Sequence, residues 1–185
     1  MGVKGRRNIN PPGESAFLLD VSAIINDAYN KGYIQDYNVD IEAIVKASED
    51  LILEKDFDME SSMSGSLTKD RVSNKWVIKV NAKHHIKRQR FTIAHEFAHY
   101  TLHKDSKGSF VDEEIYFRKS SDSAIEYSAD KFAAELLMPE DLFRKAIIEK
   151  GITKVKELSE IFNVSPFAIE IRAKSLNYKT KSNER

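Results

Sequence analysis

His95, Glu96 and His99 stand in the pattern His-Glu-x-x-His, inside the stretch Arg88-Gln89-Arg90-Phe91-Thr92-Ile93-Ala94-His95-Glu96-Phe97-Ala98-His99-Tyr100-Thr101-Leu102-His103. On a helix, positions i and i+4 share a face. Two imidazole nitrogens can then reach one metal ion at about 2 Å each. Glu96 sits about 100° around the helix from His95, close enough to take a proton from a water at that ion without ligating it. Two ligands and a general base within five residues are the working part of a zinc peptidase. The plainer reading is an amphipathic helix that happens to carry two histidines. Phe91, Ala94, Ala98 and Leu102 form an apolar stripe at helical spacing, so the helix should be packed on a core with the histidines beside the stripe.

A catalytic zinc site takes three protein ligands and keeps a fourth position open. His103 continues the i, i+4 series, but eight residues of rise separate it from His95 by roughly 12 Å along the axis. One ion cannot hold both. A third histidine six residues after the second is also missing, because residue 105 is Asp. His103 is better read as a histidine behind the ligands or at the helix C-terminus. Glu126 is the stronger candidate, on a predicted helix where Ala129, Ala133, Leu136 and Leu137 share its face. The two alanines would let this helix approach the first closely, and Pro139 helps end it. A competing reading is local: Ser123-x-x-Glu126 is also a capping box, with Glu126 bonding back to the Ser123 amide. The acidic run Asp112-Glu113-Glu114 is a further competitor. Asp130 is either the acceptor behind a ligating imidazole or a solvated helix residue.

Other elements must position these groups. Glu14 to Asn30 reads as a helix stopped by Gly32, and Asp40 can cap a second helix over Ile41 to Leu53. The period then changes. Ile52 to Met59, Met63 to Lys69 and Lys75 to Asn81 are predicted strands of a small antiparallel sheet, with a turn over Asp70 to Asn74. Gly65 should weaken its strand or mark a bulge. His84 and His85 fall in the connection to the metal helix, among lysines that suit a solvated segment. Residues 104–121 read as a polar loop, either a plain surface connection or one that orders over a substrate.

Lys+Arg and Asp+Glu both number 29, so nothing global demands nucleic acid or an anionic membrane. Cysteine is absent, which excludes a disulfide framework and Cys-ligated zinc. No stretch of apolar residues reaches membrane-spanning length, and the basic start lacks a cleavable apolar core, so the expected location is the cytoplasm, with no membrane partner.

The two motifs together carry a resemblance. Arg88 to His99, followed by Glu126-x-x-Ala129-Asp130-x-Phe132-Ala133-Ala134-x-Leu136-Leu137-Met138-Pro139, resembles the ImmA/IrrE family of metallopeptidases, most closely over roughly residues 60 to 140. Phe97-Ala98 replaces the family's frequent small or aliphatic residue and Gly. Ser128 stands where a second Glu is common. The resemblance implies an α+β, minimal zincin-like core, with a small antiparallel or mixed sheet packed on an active-site helix and a Glu-bearing helix. It implies His95, His99 and Glu126 as ligands of Zn²⁺, with Mn²⁺ the other metal suited to two His and a carboxylate. Glu96 would be the general base. Substrate would lie as a strand on the sheet edge, for which Met63 to Leu67 is the candidate. Tyr100, Tyr116 and Tyr127 are the candidate oxyanion donors, with no choice among them.

The expected organisation is an N-terminal arm over 1–13, a peptidase domain over 14–140 and a C-terminal helical segment over 141–185. That last segment carries a helix-turn-helix-like turn at Phe162-Asn163-Val164-Ser165, with Ser165 as N-cap and Pro166 at the first helical position. Arg172, Lys174, Lys179 and Lys181 could meet DNA phosphates, but the reading helix offers few base-reading groups, so packing or partner docking is the favoured role. By resemblance, the substrate would be a helix-turn-helix repressor or antitoxin encoded nearby. The alternatives are a DNA- or repressor-binding regulator that does not cleave, and a toxin controlled by a neighbouring antitoxin.

Overall fold

The computed structural model describes residues 13–103 and 123–178, with side chains over 21–102 and 124–178. The expected arm, the loop at 104–121 with Tyr116 and Asp112-Glu113-Glu114, the side chains of His103 and Ser123, and Lys179 and Lys181 lie outside these limits.

Helix α1 (Gly13–Asn30) is followed by a hairpin of two-residue strands, β1 (Ile34–Gln35) and β2 (Asn38–Val39). Asp36 takes a positive φ of 53° in the hairpin turn. Strands this short leave no periodic trace, and the sequence reading has no element there. Helix α2 (Ile41–Lys46) starts as expected: Asp40 Oδ1 accepts the Ala43 N–H at 3.0 Å. It does not run to Leu53. Leu51 instead opens β3 (Leu51–Asp56), because Leu51-Ile52-Leu53 pairs along β5 (Trp76–Asn81) in the main sheet. An apolar run of three fits either period, and strand pairing decides it. Strand β3 also stops short of Met59, where Asp56 Oδ1 accepts the amides of Asp58 and Met59 and turns the chain.

Strand β4 (Gly65–Lys69) joins β5 through the turn at Asp70, whose carboxylate accepts the Ser73 amide at 2.8 Å. The sheet order is β3-β5-β4, with β3 parallel and β4 antiparallel to β5. Of the two expected arrangements, antiparallel or mixed, the sheet takes the mixed one. Periodicity carries no strand direction, and the long β3–β4 connection lets β5 enter between its neighbours. Gly65 pairs with Val80 in regular register, so it makes no bulge.

Helix α3 (Ile86–His103) lies across the sheet, and α4 (Ser123–Leu137) packs against α3. Ala94, Ala98, Ala129 and Ala133 are all fully buried. Pro139 caps the start of α5 (Glu140–Arg144), which continues into a π-helical turn at Lys145–Glu149. Helices α6 (Val155–Ile161) and α7 (Pro166–Ser175) flank the expected turn, with Asn163 at φ 51° and Ser165 Oγ accepting the Ala168 N–H. The fold is α+β, a small zincin-like domain with a C-terminal helical segment.

The apolar core is continuous across residue 140: Phe143, Leu158, Phe162 and Ile169 belong to the same buried cluster as Ala94, Ala133 and Leu136. Arg172 is not available to DNA. Its side chain is 2% exposed, its Nε donates to Met138 O at 2.9 Å, and its Nη1 lies 3.4 Å from Glu135. Helical spacing allows either face at that position, and packing on α4 takes the buried one. Lys174 is exposed. Arg90 of α3 is also buried and donates to Asn163 O at 3.0 Å and to Val39 O at 2.7 Å. Among the described residues, no helix is long and apolar enough to cross a membrane.

Candidate metal centre

Helix α3 presents His95 and His99 one turn apart, and α4 presents Glu126 and Asp130 one turn apart. The small residues between the helices bring these faces into contact. His95 Nε2 lies 3.0 Å from His99 Nε2 and 3.3 Å from Glu126 Oε2, and His99 Nε2 lies 3.5 Å from Glu126 Oε1. All three ligand atoms fall within 4.8 Å of one another. Tetrahedral bonds of about 2 Å hold ligand atoms about 3.3 Å apart. The three donors therefore already have the spacing that a small divalent cation requires, and two imidazoles with one carboxylate are the donor chemistry it takes.

His95 is held from behind. Its Nδ1 lies 2.9 Å from Asp130 Oδ1. With Nδ1–H donating to Asp130, the neutral ring carries its lone pair on Nε2, the atom that faces His99 and Glu126. Burial pulls the His95 pKa down. The hydrogen bonds to Asp130 and Glu126 and the charge of Glu96 more than reverse this, pushing it up to about 10 in the metal-free site. His99 is 2% exposed and Glu126 40%, so the site is floored by protein and open on the α4 side.

Glu96 is 7% exposed on the α3 face next to the ligands. Burial pushes its pKa up to about 7, with the Glu126 charge adding and His95 opposing. A carboxylate of that basicity can both accept and return a proton near neutral pH. Glu126 lies in the first turn of α4, the capping position, yet its carboxylate reaches both imidazoles.

Tyr100 is buried, with its ring against Phe97 and Trp76 at centroid distances of 6.2 Å each. Tyr127 is 59% exposed beside Glu126. His84 Nε2 meets Ser61 O at 3.2 Å and His85 is exposed; neither joins the cluster. Gly65 is the residue that sequence reasoning did not connect to the site, although it lies against Glu96. A lone glycine in the strand paired with β5, which leads into α3, is the available signal.

The family model for the IrrE N-terminal-like domain (peptidase family M78) matches residues 51–174, more than half of the chain. The chain belongs to the ImmA/IrrE family of metallopeptidases. The match runs past residue 140 and takes in the helix-turn-helix-like turn. The chain is also similar to metallopeptidase ImmA of Bacillus subtilis (strain 168), 28% identical over 110 residues. That alignment covers 59% of this chain and 62% of the relative, so less than two thirds of the relative's length is represented. In ImmA/IrrE terms, the pair of helices that carries the candidate metal cluster lies wholly inside the matched region.

Proposed function

We propose that the chain is a zinc-dependent endopeptidase of narrow specificity that cleaves a helix-turn-helix repressor or an antitoxin encoded nearby. The observation that carries this reading is the convergence of His95, His99 and Glu126 at tetrahedral spacing, with buried Glu96 beside them on the same helix. Two imidazoles and one carboxylate are the donor set of catalytic zinc sites, and Mn²⁺ is the other ion that set suits. A bound zinc ion would supply Lewis-acid activation of water and of the scissile carbonyl.

The chain's own residues do the rest. Asp130 fixes the His95 ring and its tautomer. Glu96 accepts the proton of the attacking water and returns it to the leaving amine. Strand β4 offers the substrate a sheet edge. Asn81 N–H donates to Ser64 O, and from that register Ser66 and Thr68 bond to β5. The backbone groups of Gly65, Leu67 and Lys69 then point outward. Among the described residues no strand occupies that edge, which suits an extended peptide. The substrate class rests on the family relationship, and a repressor substrate places the reaction in the cytoplasm.

The test is co-expression with the helix-turn-helix proteins encoded beside it, comparing wild type with Glu96→Gln and measuring zinc in both. Wild type should cut one such protein at a defined bond. Glu96→Gln should keep its zinc and leave that protein intact. Cleavage that survives Glu96→Gln, or a wild-type protein that takes up no metal, would overturn the reading.

A further inference from the structure

Gly65 opens β4 directly above α3. A Cβ placed there would lie 2.5 Å from Thr92 Cγ2, 2.8 Å from Lys79 O and 3.4 Å from Glu96 Oε1. Neither of the two nearest atoms can easily withdraw. Thr92 is a buried β-branched residue on a helix, where χ1 is stiff. The Lys79 carbonyl belongs to the central strand of the sheet. The end of β4 is fixed as well. Asn81, fully buried, donates from Nδ2 to Glu60 O at 3.0 Å and Met63 O at 2.8 Å, and Arg88 Nη2 donates to Ser64 Oγ at 2.7 Å. The strand is thus clamped down onto the helix at the one point where it carries no side chain.

We infer that Gly65 is a positioning residue for Glu96: its missing side chain is the clearance that lets the edge strand close over the carboxylate and hold it facing the metal ligands. The inference rests on the peptidase reading above. It adds a residue of the sheet to a site otherwise built from two helices, and it gives the glycine a reason other than backbone conformation. Any side chain at 65 must push Thr92 aside or lift β4 off the helix, and with it the backbone that covers Glu96 at contact distance. The ligands His95, His99 and Glu126 sit on α3 and α4 and should not register the change.

The experiment compares full-length wild type, Gly65→Ala and Gly65→Ala/Thr92→Ala, all zinc-loaded. The probe is the best-cleaved member of a mixture of internally quenched fluorescent peptides. Gly65→Ala should bind one zinc with affinity within about threefold of wild type, because its ligands are untouched. Its kcat should fall on the order of a hundredfold with little change in KM, as expected when a proton-transfer group is displaced by about an ångström. Adding Thr92→Ala removes the closest clash and should restore part of kcat. A kcat for Gly65→Ala within twofold of wild type would overturn the inference, as would loss of zinc. If wild type cleaves none of the peptides, the amide shifts of Thr92 and Glu96 in ¹H–¹⁵N spectra decide. They should move in Gly65→Ala and return toward wild type in the double variant. Unchanged shifts would overturn the close approach itself, whereas an inactive wild type bears on the peptidase reading.

Discussion

Asp130 Oδ1 accepts a hydrogen bond from His95 Nδ1 at 2.9 Å, across the interface of the two helices that carry the metal-binding cluster. A carboxylate in that place orients the imidazole and makes its far nitrogen a better donor. Asp130→Ala should therefore weaken zinc affinity by about 10- to 100-fold while leaving one site per chain. Competition against a chromophoric chelator reads this directly. An unchanged affinity would return Asp130 to the role of a solvated helix residue.

Glu126 supplies the one cluster carboxylate that reaches both imidazoles. Glu126→Ala should leave a two-histidine site that loses its zinc on dialysis, whereas Glu96→Gln should retain it. Elemental analysis of the two purified variants side by side makes the comparison. Zinc retained by Glu126→Ala would move the third ligand elsewhere, with residues 112–114 the next to test.

The metal-free site should release a proton when it fills. His95 holds its proton up to about pH 10 there, well above the ordinary histidine value, so at pH 7 it is an imidazolium. A ligating nitrogen must be deprotonated. Zinc affinity should thus rise with pH between 6 and 9, with about one proton released per ion at pH 7. Calorimetry in two buffers of different ionisation enthalpy measures that number. The same shift has the opposite sign for the stability of the metal-free chain. A folded-state value raised above about 6.5 stabilises the fold below that pH, and this contribution is lost as pH climbs toward 10.

Arg172 ties α7 to the end of α4 through Met138 O and Glu135. Arg172→Met should cost about 3 kcal/mol, since it strands a largely buried carboxylate and a carbonyl. Lys174→Met, at an exposed position, should change stability by less than about 0.5 kcal/mol. Urea denaturation of both variants gives the comparison. Equal midpoints would show that the C-terminal helices contribute little to the core.

The parts of the fold that the sequence made legible are those in which chemistry and period coincide. His95 and His99 are visible because a one-turn spacing is both a helical face and a metal bite. Ala129 and Ala133 are visible because small residues on one face imply close helix packing. The direction of β3 was not legible, because Leu51 to Leu53 suit a buried strand of either sense, and only the insertion of β5 between its neighbours decides it. Arg172 fits a phosphate contact or a packing contact in sequence, because helical spacing alone does not say which face of α7 it takes. Its burial depends on a carboxylate from α4 and the Met138 carbonyl just past its end, far away in sequence. In sequence Gly65 reads as a weakness in a strand, whereas its meaning lies in what sits opposite it.

Arg90 leaves the active-site helix to hold two carbonyls, one in the early β1–β2 hairpin at Val39 and one in the late turn at Asn163. The consequence is temporal. A chain emerging from the ribosome carries His95, Glu96 and His99 well before it carries Asn163. Helix α3 therefore cannot take up its full set of contacts until Asn163 has been made. The candidate metal cluster on that helix is braced only after the segment that carries Asn163 has followed it out.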